Sequence, residues 1–215
     1  MRAIVHCNPS IAWQVSYSKA FKAGLDSVGI FTTISSDKVS TSDITIILGP
    51  HWCKDLHPGR CIYIDRAYWG DPEAVSVHWI ENGEKVYDWT PRSGRYHPEL
   101  KQAKTGTRTI VLCDYGKNYE YKEASKRKHP TEERSSETLS ECLGRHDIAV
   151  GGKSTALVDA AIQGLKVISL EPNSPVSPLS DQFNPDRESW VKALSWHNWT
   201  FNEIHDGELW DHFLK

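Results

Sequence analysis

The segment Gly151-Gly152-Lys153-Ser154-Thr155 carries the strongest chemical signal in this sequence. Glycines at a strand-to-helix turn let backbone N–H groups approach a phosphate, and the start of the helix adds partial positive charge. Lys153 and the hydroxyls of Ser154 and Thr155 supply further donors. The turn therefore predicts a phosphate site. Ordinary N-capping by Ser154 after a glycine turn is the alternative.

A P-loop NTPase is the first competing interpretation, because Gly152-Lys153-Ser154 matches the end of the Walker A motif. That motif requires a glycine five residues before Gly152, and the position holds Asp147. The sequence also lacks an apolar strand that ends in an acidic pair. A P-loop-like NTPase is therefore kept only as a minor alternative.

The residues from His146 to Ile168 read HDIAVGGKSTALVDAAIQGLKVI. This run resembles the donor-domain signature of GT-B glycosyltransferases, in which an aspartate-led strand is followed by a small-residue turn, an alanine-rich helix, a glycine and another strand. The resemblance implies that the turn from Gly151 to Thr155 holds the phosphates of a nucleotide-sugar, and that Glu171 touches the nucleoside. Lys153 departs from the usual Gly or Ser, and the chain is shorter than typical members.

Neither a metal ion nor a cofactor is expected; the nucleotide-sugar is a co-substrate. The absence of Asp-x-Asp argues against the metal-dependent GT-A type, and the ten histidines lack zinc-type spacing. The five cysteines form no CxxC pair. Lys128-His129-Pro130 is similar to the His-Pro element that many GT-B enzymes place near the donor phosphates. Lys153, Arg127 and His129 are therefore expected to stabilise the diphosphate.

Two side chains at predicted strand ends are candidates for the general base of an inverting transfer to a hydroxyl. Asp65 ends the strand Cys61 to Ile64, and His51 follows the strand Ile44 to Leu48. Open α/β sheets bind their ligands at such ends. Either residue could instead cap a loop, and Asp71 is a weaker third candidate.

The charge distribution suggests a polyanionic ligand although the net charge is only -3. Residues 92–128 contain ten basic and four acidic residues. The segments Asp65 to Gly70 and Trp199 to Ile204 show a fainter resemblance to small bacteriophage proteins. This resemblance implies DNA modification, with a hydroxymethylated pyrimidine as acceptor. The expected acceptor residues are Arg66, Trp69, Arg92 and Arg95. A solvated basic face, a tryptophan-rich domain interface, and a non-catalytic nucleotide- or DNA-binding protein remain the alternatives.

Strand-like segments that alternate with helices or long connections predict an α/β fold with two Rossmann-like domains and open, mostly parallel sheets. Residues 1–98 are expected to form the acceptor-side domain with a β-hairpin at Asn82-Gly83. Residues 99–215 are expected to form the donor domain with C-terminal helices. The second domain's elements are the strand Thr109 to Cys113, a helix near Glu133 to Leu143, the strand Asp147 to Val150, the helix Ser154 to Gln163 and the strand Val167 to Leu170.

Localisation is expected to be cytoplasmic, which means the host cytoplasm for a phage protein. No stretch approaches the roughly 20 apolar residues that cross a bilayer, and the N-terminus reads directly as a strand. Membrane partners are therefore not expected, and the sequence does not indicate an oligomeric state.

Overall fold

The structure, a computed structural model, describes residues 1–36, 42–49, 60–70, 73–180, 182 and 184–214. The chain forms two compact units. Unit 1 comprises Met1–Tyr87 and Trp196–Lys215, and unit 2 comprises Asp88–Ser195. The chain therefore passes from one unit to the other twice. Within the described ranges, no helix has the length and apolar character needed to cross a membrane.

Strands and helices alternate in both units, which confirms the predicted α/β class. The strands are β1 (Arg2–His6), β2 (Phe31–Ser35), β3 (Ile44–Leu48), β4 (Arg60–Arg66), β5 (Val75–Glu81), β6 (Glu84–Lys85), β7 (Thr109–Leu112), β8 (Ser125–Arg127), β9 (Ile148–Gly151), β10 (Lys166–Ser169) and β11 (Asn198–Trp199). The helices are α1 (Ala12–Ser27), α2 (Leu139–Gly144), α3 (Thr155–Ile162), α4 (Arg187–Ser195), α5 (Phe201–His205) and α6 (Glu208–Phe213), with a 3-10 turn at Ser177–Leu179.

Unit 1 is built on a mixed sheet with the order β11-β5-β4-β3-β1-β2, and β6 pairs with β5. Strands β1 to β4 run parallel, whereas β5 is antiparallel to β4. Every residue of β3 is buried, which explains its continuous apolar and β-branched sequence. β5 and β6 form the predicted hairpin, with Asn82 and Gly83 both at positive φ.

The C-terminal helices α5 and α6 belong to unit 1, so their predicted assignment to the donor domain is wrong. Trp199, Ile204 and Trp210 are buried in the core of unit 1. The Trp210 ring meets Phe21 of α1 edge-on at 5.8 Å. A Cβ at Gly24 of α1 would overlap the Ile204 carbonyl, so glycine permits this close approach.

Unit 2 is built on a parallel sheet with the order β10-β9-β7-β8. Its first strand, β7, lies between its second and third strands, as β1 lies between β2 and β3 in unit 1. In unit 1 the chain therefore adds β2 on one side of β1 and β3 on the other. In unit 2 it likewise adds β8 on one side of β7 and β9 on the other, so each sheet has a topological switch point. In open α/β sheets, the crevice outside the carboxyl ends at such a switch point is the usual ligand site.

Three features of unit 2 differ from the sequence prediction. The basic segment Ser125–Arg127 forms the edge strand β8, a position where charged side chains are common. Helix α2 is shorter than predicted because Thr138 and Glu141 form a capping box that starts it. Residues 88–107 lack helix and strand and belong to unit 2. There the Lys101 N–H donates to the Ile162 carbonyl at 2.9 Å, so the boundary lies at 87/88 rather than 98/99.

Candidate functional site

The turn predicted to bind phosphate connects β9 to α3. Gly151 is the last residue of β9, and α3 begins at Thr155. Ser154 is the N-cap, and its hydroxyl accepts the N–H of Ala156 at 3.2 Å. The predicted strand-to-helix geometry and the N-capping role of Ser154 are therefore both present.

Gly152 has a steric reason to be glycine that the sequence did not reveal. A Cβ at this position would lie well inside van der Waals contact with the Tyr119 hydroxyl and with Oδ2 of Asp114. In the sequence, the glycines of this turn indicated phosphate binding. Packing against Tyr119 and Asp114 explains Gly152 without a ligand, so this glycine alone does not identify the ligand.

Asp114 follows β7 and directs its carboxylate at the turn. Its Oδ2 accepts the backbone N–H of Lys153 at 3.0 Å and the hydroxyl of Tyr119 at 3.0 Å. Its Oδ1 is buried and has no hydrogen-bond partner within the described residues. A buried carboxylate oxygen normally has a donor, so Asp114 offers an unused acceptor to a ligand.

Glu171 follows β10 and meets the same cluster. Its Oε1 accepts from the Lys117 ammonium at 2.5 Å and from the Tyr119 hydroxyl. Burial raises the pKa of Glu171, but the hydrogen bonds from Lys117 and Tyr119 and the charge of Lys153 lower it by more. The pKa of Glu171 therefore lies below its ordinary value. Glu171 is therefore an ionised acceptor near neutral pH.

Tyr119 lies between the two carboxylates. Burial, and the hydrogen bonds to Glu171 and Asp114, raise the pKa of Tyr119 above its ordinary value, so the hydroxyl keeps its proton. One hydroxyl proton cannot fully serve two acceptors at once. Asp114 and Glu171 thus share one hydroxyl proton, and Oδ1 of Asp114 has no donor within the described residues.

Arg127 and His129, the other predicted phosphate ligands, lie at the end of β8. Arg127 donates to the Glu137 carbonyl at 2.9 Å. His129 shares a hydrogen bond of 2.7 Å with the Thr131 hydroxyl, and its ring lies 5.7 Å from that of Tyr115. Within the part of the chain that the structure describes, no hydrogen bond or ion pair joins either residue to the turn.

Asp65, a predicted general base, is the penultimate residue of β4 and lines a cavity of about 750 Å³ in unit 1. The Lys85 ammonium lies 3.2 Å from its Oδ2. The cavity opens where β3 and β4 end and combines charged with aromatic side chains. Its lining includes Trp13, Tyr17, Gly49, Arg66, Glu73 and Phe201. Tyr17 and Phe201 meet edge-on with ring centroids 5.4 Å apart.

The predicted acceptor residues do not all lie in one unit. Arg66 lines the cavity of unit 1, and Trp69 contacts the ring of Tyr68 at 6.2 Å. Arg92 and Arg95 belong to unit 2, where Arg92 pairs with Asp88 at 2.5 Å and Nε of Arg95 donates to the Ser195 carbonyl at 3.1 Å. The sequence prediction placed Arg92 and Arg95 in the first domain. This was wrong, because residues 88–98 belong to unit 2.

His51 and Asp71 lie outside the described residues. Sequence reasoning missed Asp114, Lys117 and Tyr119, and the available signal was the position of Asp114 immediately after the strand Thr109 to Cys113. No cluster of three or more histidine, cysteine, aspartate or glutamate side chains suited to a metal ion occurs among the described residues.

The chain matches no protein-family model, no curated protein and no solved structure.

Proposed function

We propose that this chain is a metal-independent glycosyltransferase of the GT-B kind with two Rossmann-like units. The observation that carries the proposal is the composition of the cluster at the carboxyl ends of β7, β9 and β10. Lys153 and the start of α3 suit phosphates, while Asp114 and Glu171 provide acceptors for hydroxyl groups. A nucleotide-sugar carries both kinds of group.

The donor diphosphate is bound by the Lys153 ammonium and by the hydroxyls and remaining N–H groups of Ser154 and Thr155. The N–H of Lys153 itself is used by Asp114. Glu171 accepts from the ribose hydroxyls, as the resemblance to GT-B enzymes implies for the loop after this strand. The orphan Oδ1 of Asp114 accepts from a further hydroxyl of the donor. Positive charge at the diphosphate stabilises the leaving group without a metal ion.

The acceptor hydroxyl binds in the cavity of unit 1, where Asp65 is the general base. The carboxylate of Asp65 takes the hydroxyl proton as the acceptor oxygen attacks the anomeric carbon. The bond from that carbon to the diphosphate breaks, and the nucleoside diphosphate leaves with the electron pair. Trp13, Tyr17 and Phe201 give the cavity aromatic surface that suits a planar ring. A hydroxymethylated pyrimidine in DNA is the proposed acceptor.

Titration calorimetry with a panel of nucleoside-diphosphate sugars tests the donor site. Lys153→Ala is expected to weaken binding by about 1.5 to 3 kcal/mol, the value of a hydrogen bond to a charged group. Lys166→Ala is the matched control, because Lys166 starts β10 at the opposite end of the sheet. Equal affinities for the two variants would remove the turn from the donor site.

A thermal-shift screen of the same ligands precedes the calorimetry. A ligand at 100 times its Kd that binds only the folded chain adds about 2.7 kcal/mol to the free energy of unfolding. Stabilisation by a nucleotide-sugar without turnover of any acceptor would favour a non-catalytic binding protein. Magnesium-dependent cleavage of ATP or GTP without acceptor would favour an NTPase.

A further inference from the structure

Unit 2 contains a second cavity, of about 540 Å³, that none of the residues from Gly151 to Thr155 lines. Ile110 of β7 and Ser125 of β8 are paired in register at its floor. Arg127 lies two residues beyond Ser125, so its side chain projects from the same face of the sheet. Cys142 of α2 contributes to the wall, which places the cavity between the edge of the sheet and α2.

The lining of this cavity is strongly basic. Five permanently charged basic side chains and two carboxylates line it, so the wall carries a formal charge of +3. The basic residues are Arg108, Lys126, Arg127, Lys128 and Arg145, and the acidic residues are Glu133 and Glu137. The local excess of basic residues recognised in the sequence thus converges partly on one concave site.

Arg127 differs from the other four cations. Each of those four forms an ion pair with a carboxylate. The pairs are Arg108–Asp147 at 3.0 Å, Lys126–Glu120 at 2.6 Å, Lys128–Glu133 at 3.3 Å and Arg145–Glu137 at 2.6 Å. Arg127 is half-buried and donates to the Glu137 carbonyl, and it has no carboxylate partner within the described residues. A partly desolvated guanidinium without a counter-charge favours an anionic ligand, and its planar donors match phosphate oxygens.

His146 also lines the cavity and is held by hydrogen bonds. Its Nδ1 lies 2.7 Å from the Cys142 carbonyl, and its Nε2 lies 2.8 Å from Oγ of Ser125. Ser125 in turn donates its hydroxyl proton to the Thr109 carbonyl at 3.2 Å. Both ring nitrogens of His146 therefore have partners in the wall of the cavity.

We propose that this cavity binds phosphate groups, with Arg127 as the central ligand and Lys128 as an accessory one. The volume suits a ligand about the size of a nucleotide. The chemistry is shared by the backbone of a polynucleotide and by a free diphosphate. The proposal does not depend on sugar transfer, because the cavity and the turn are lined by different residues.

Two probes distinguish the sources of the phosphate in the full chain. A fluorescent 12-nucleotide oligothymidylate is titrated by anisotropy at several salt concentrations, and inorganic pyrophosphate is titrated by calorimetry. A polynucleotide site predicts oligonucleotide binding that weakens with salt by a slope of about -0.7 per phosphate contact. A free-phosphate site predicts pyrophosphate binding without oligonucleotide binding. Either result supports phosphate binding in this cavity if the cavity variants described below weaken binding of the probe.

Arg127→Gln is expected to weaken binding of the active probe at least about tenfold. Lys128→Gln, at an exposed position, is expected to weaken it by a smaller factor and tests the site even if Arg127→Gln unfolds. Lys122→Gln is the matched control, because Lys122 is almost fully exposed and does not line the cavity. The proposal is overturned if neither probe binds at low salt, or if Lys128→Gln and the folded Arg127→Gln bind like Lys122→Gln.

Discussion

Asp114 and Lys153, 39 positions apart in the chain, are joined by a hydrogen bond of 3.0 Å from the backbone N–H of Lys153 to Oδ2 of Asp114. This bond fixes the start of the α3 turn and leaves the other oxygen of the carboxylate without a partner in the described residues. The structure thus brings a carboxylate to a turn whose sequence suggested only phosphate binding.

Asp114→Asn is expected to weaken nucleotide-sugar binding by about 1 to 3 kcal/mol. The amide oxygen can still accept the Lys153 N–H, but the buried acceptor becomes an amino group that cannot accept a ligand hydroxyl. Calorimetry with the donor measures the change, and circular dichroism checks the fold. An affinity equal to or higher than that of the unmodified chain contradicts the role assigned to Asp114.

Asp65→Asn is expected to lower kcat by about 10² to 10⁴ while donor affinity stays the same, since only proton transfer in the transition state is lost. Steady-state kinetics and donor titrations on the same preparation measure both quantities. Glu73→Gln changes another carboxylate of the same cavity and serves as the comparison. Full activity of Asp65→Asn would assign the base elsewhere, and His51→Gln is then the next variant to measure.

Gly152→Ala is expected to destabilise the chain by about 1 to 3 kcal/mol, because the added methyl group overlaps Tyr119 and Asp114. Gly144→Ala is the matched control, since a Cβ at Gly144 meets no atom within 4 Å. Urea unfolding of both variants gives the comparison. Equal stabilities would show that Tyr119 and Asp114 do not pack against the turn as described.

Acid is expected to destabilise unit 1 through His78. Burial, and then the proximity of His197 and Lys85, hold the pKa of His78 well below its ordinary value. The unfolded chain therefore binds a proton that the folded chain does not, so stability is present above about pH 6.5 and falls as the pH drops below it. One such group contributes a slope of up to about 1.4 kcal/mol per pH unit.

Urea unfolding at pH 7.5 and pH 5.5 measures this slope. His78→Gln is expected to lose less stability between the two values than the unmodified chain, whatever its stability at pH 7.5. His205→Gln is the control, because His205 is exposed and pairs with Asp206. A slope for His78→Gln as steep as that of the control would exclude His78 as the source.

The sequence predicted those parts of the fold whose signals are local. The buried strands β1, β3 and β4, the β9 turn into α3 and the Asn-Gly hairpin follow from apolar runs and turn residues in short windows. It did not predict β8, because a Ser-Lys-Arg edge strand has no apolar pattern. It also did not predict that Trp199 and Trp210 are buried in the core of unit 1, because this burial depends on contacts with α1, which is distant in the sequence.

The candidate site divides in the same way. Lys153 and Ser154 were identified from the glycine turn that follows one predicted strand, and Asp65 from its position directly after another. Asp114 and Tyr119 were missed as site residues, because their relation to the turn arises from the pairing of β7 with β9. A pattern within one segment cannot reveal which side chain from another strand end approaches it.

Acceptor-dependent sugar transfer is measured as the release of nucleoside diphosphate from labelled nucleotide-sugars. The full chain is incubated with each donor, with and without hydroxymethylated DNA, in the presence of EDTA. We expect release and labelled DNA only when donor and acceptor are both present, undiminished by EDTA and lost in Asp65→Asn. Donors that bind the chain but transfer no sugar to this DNA, or to glycan and small-molecule hydroxyls, would contradict a transferase function.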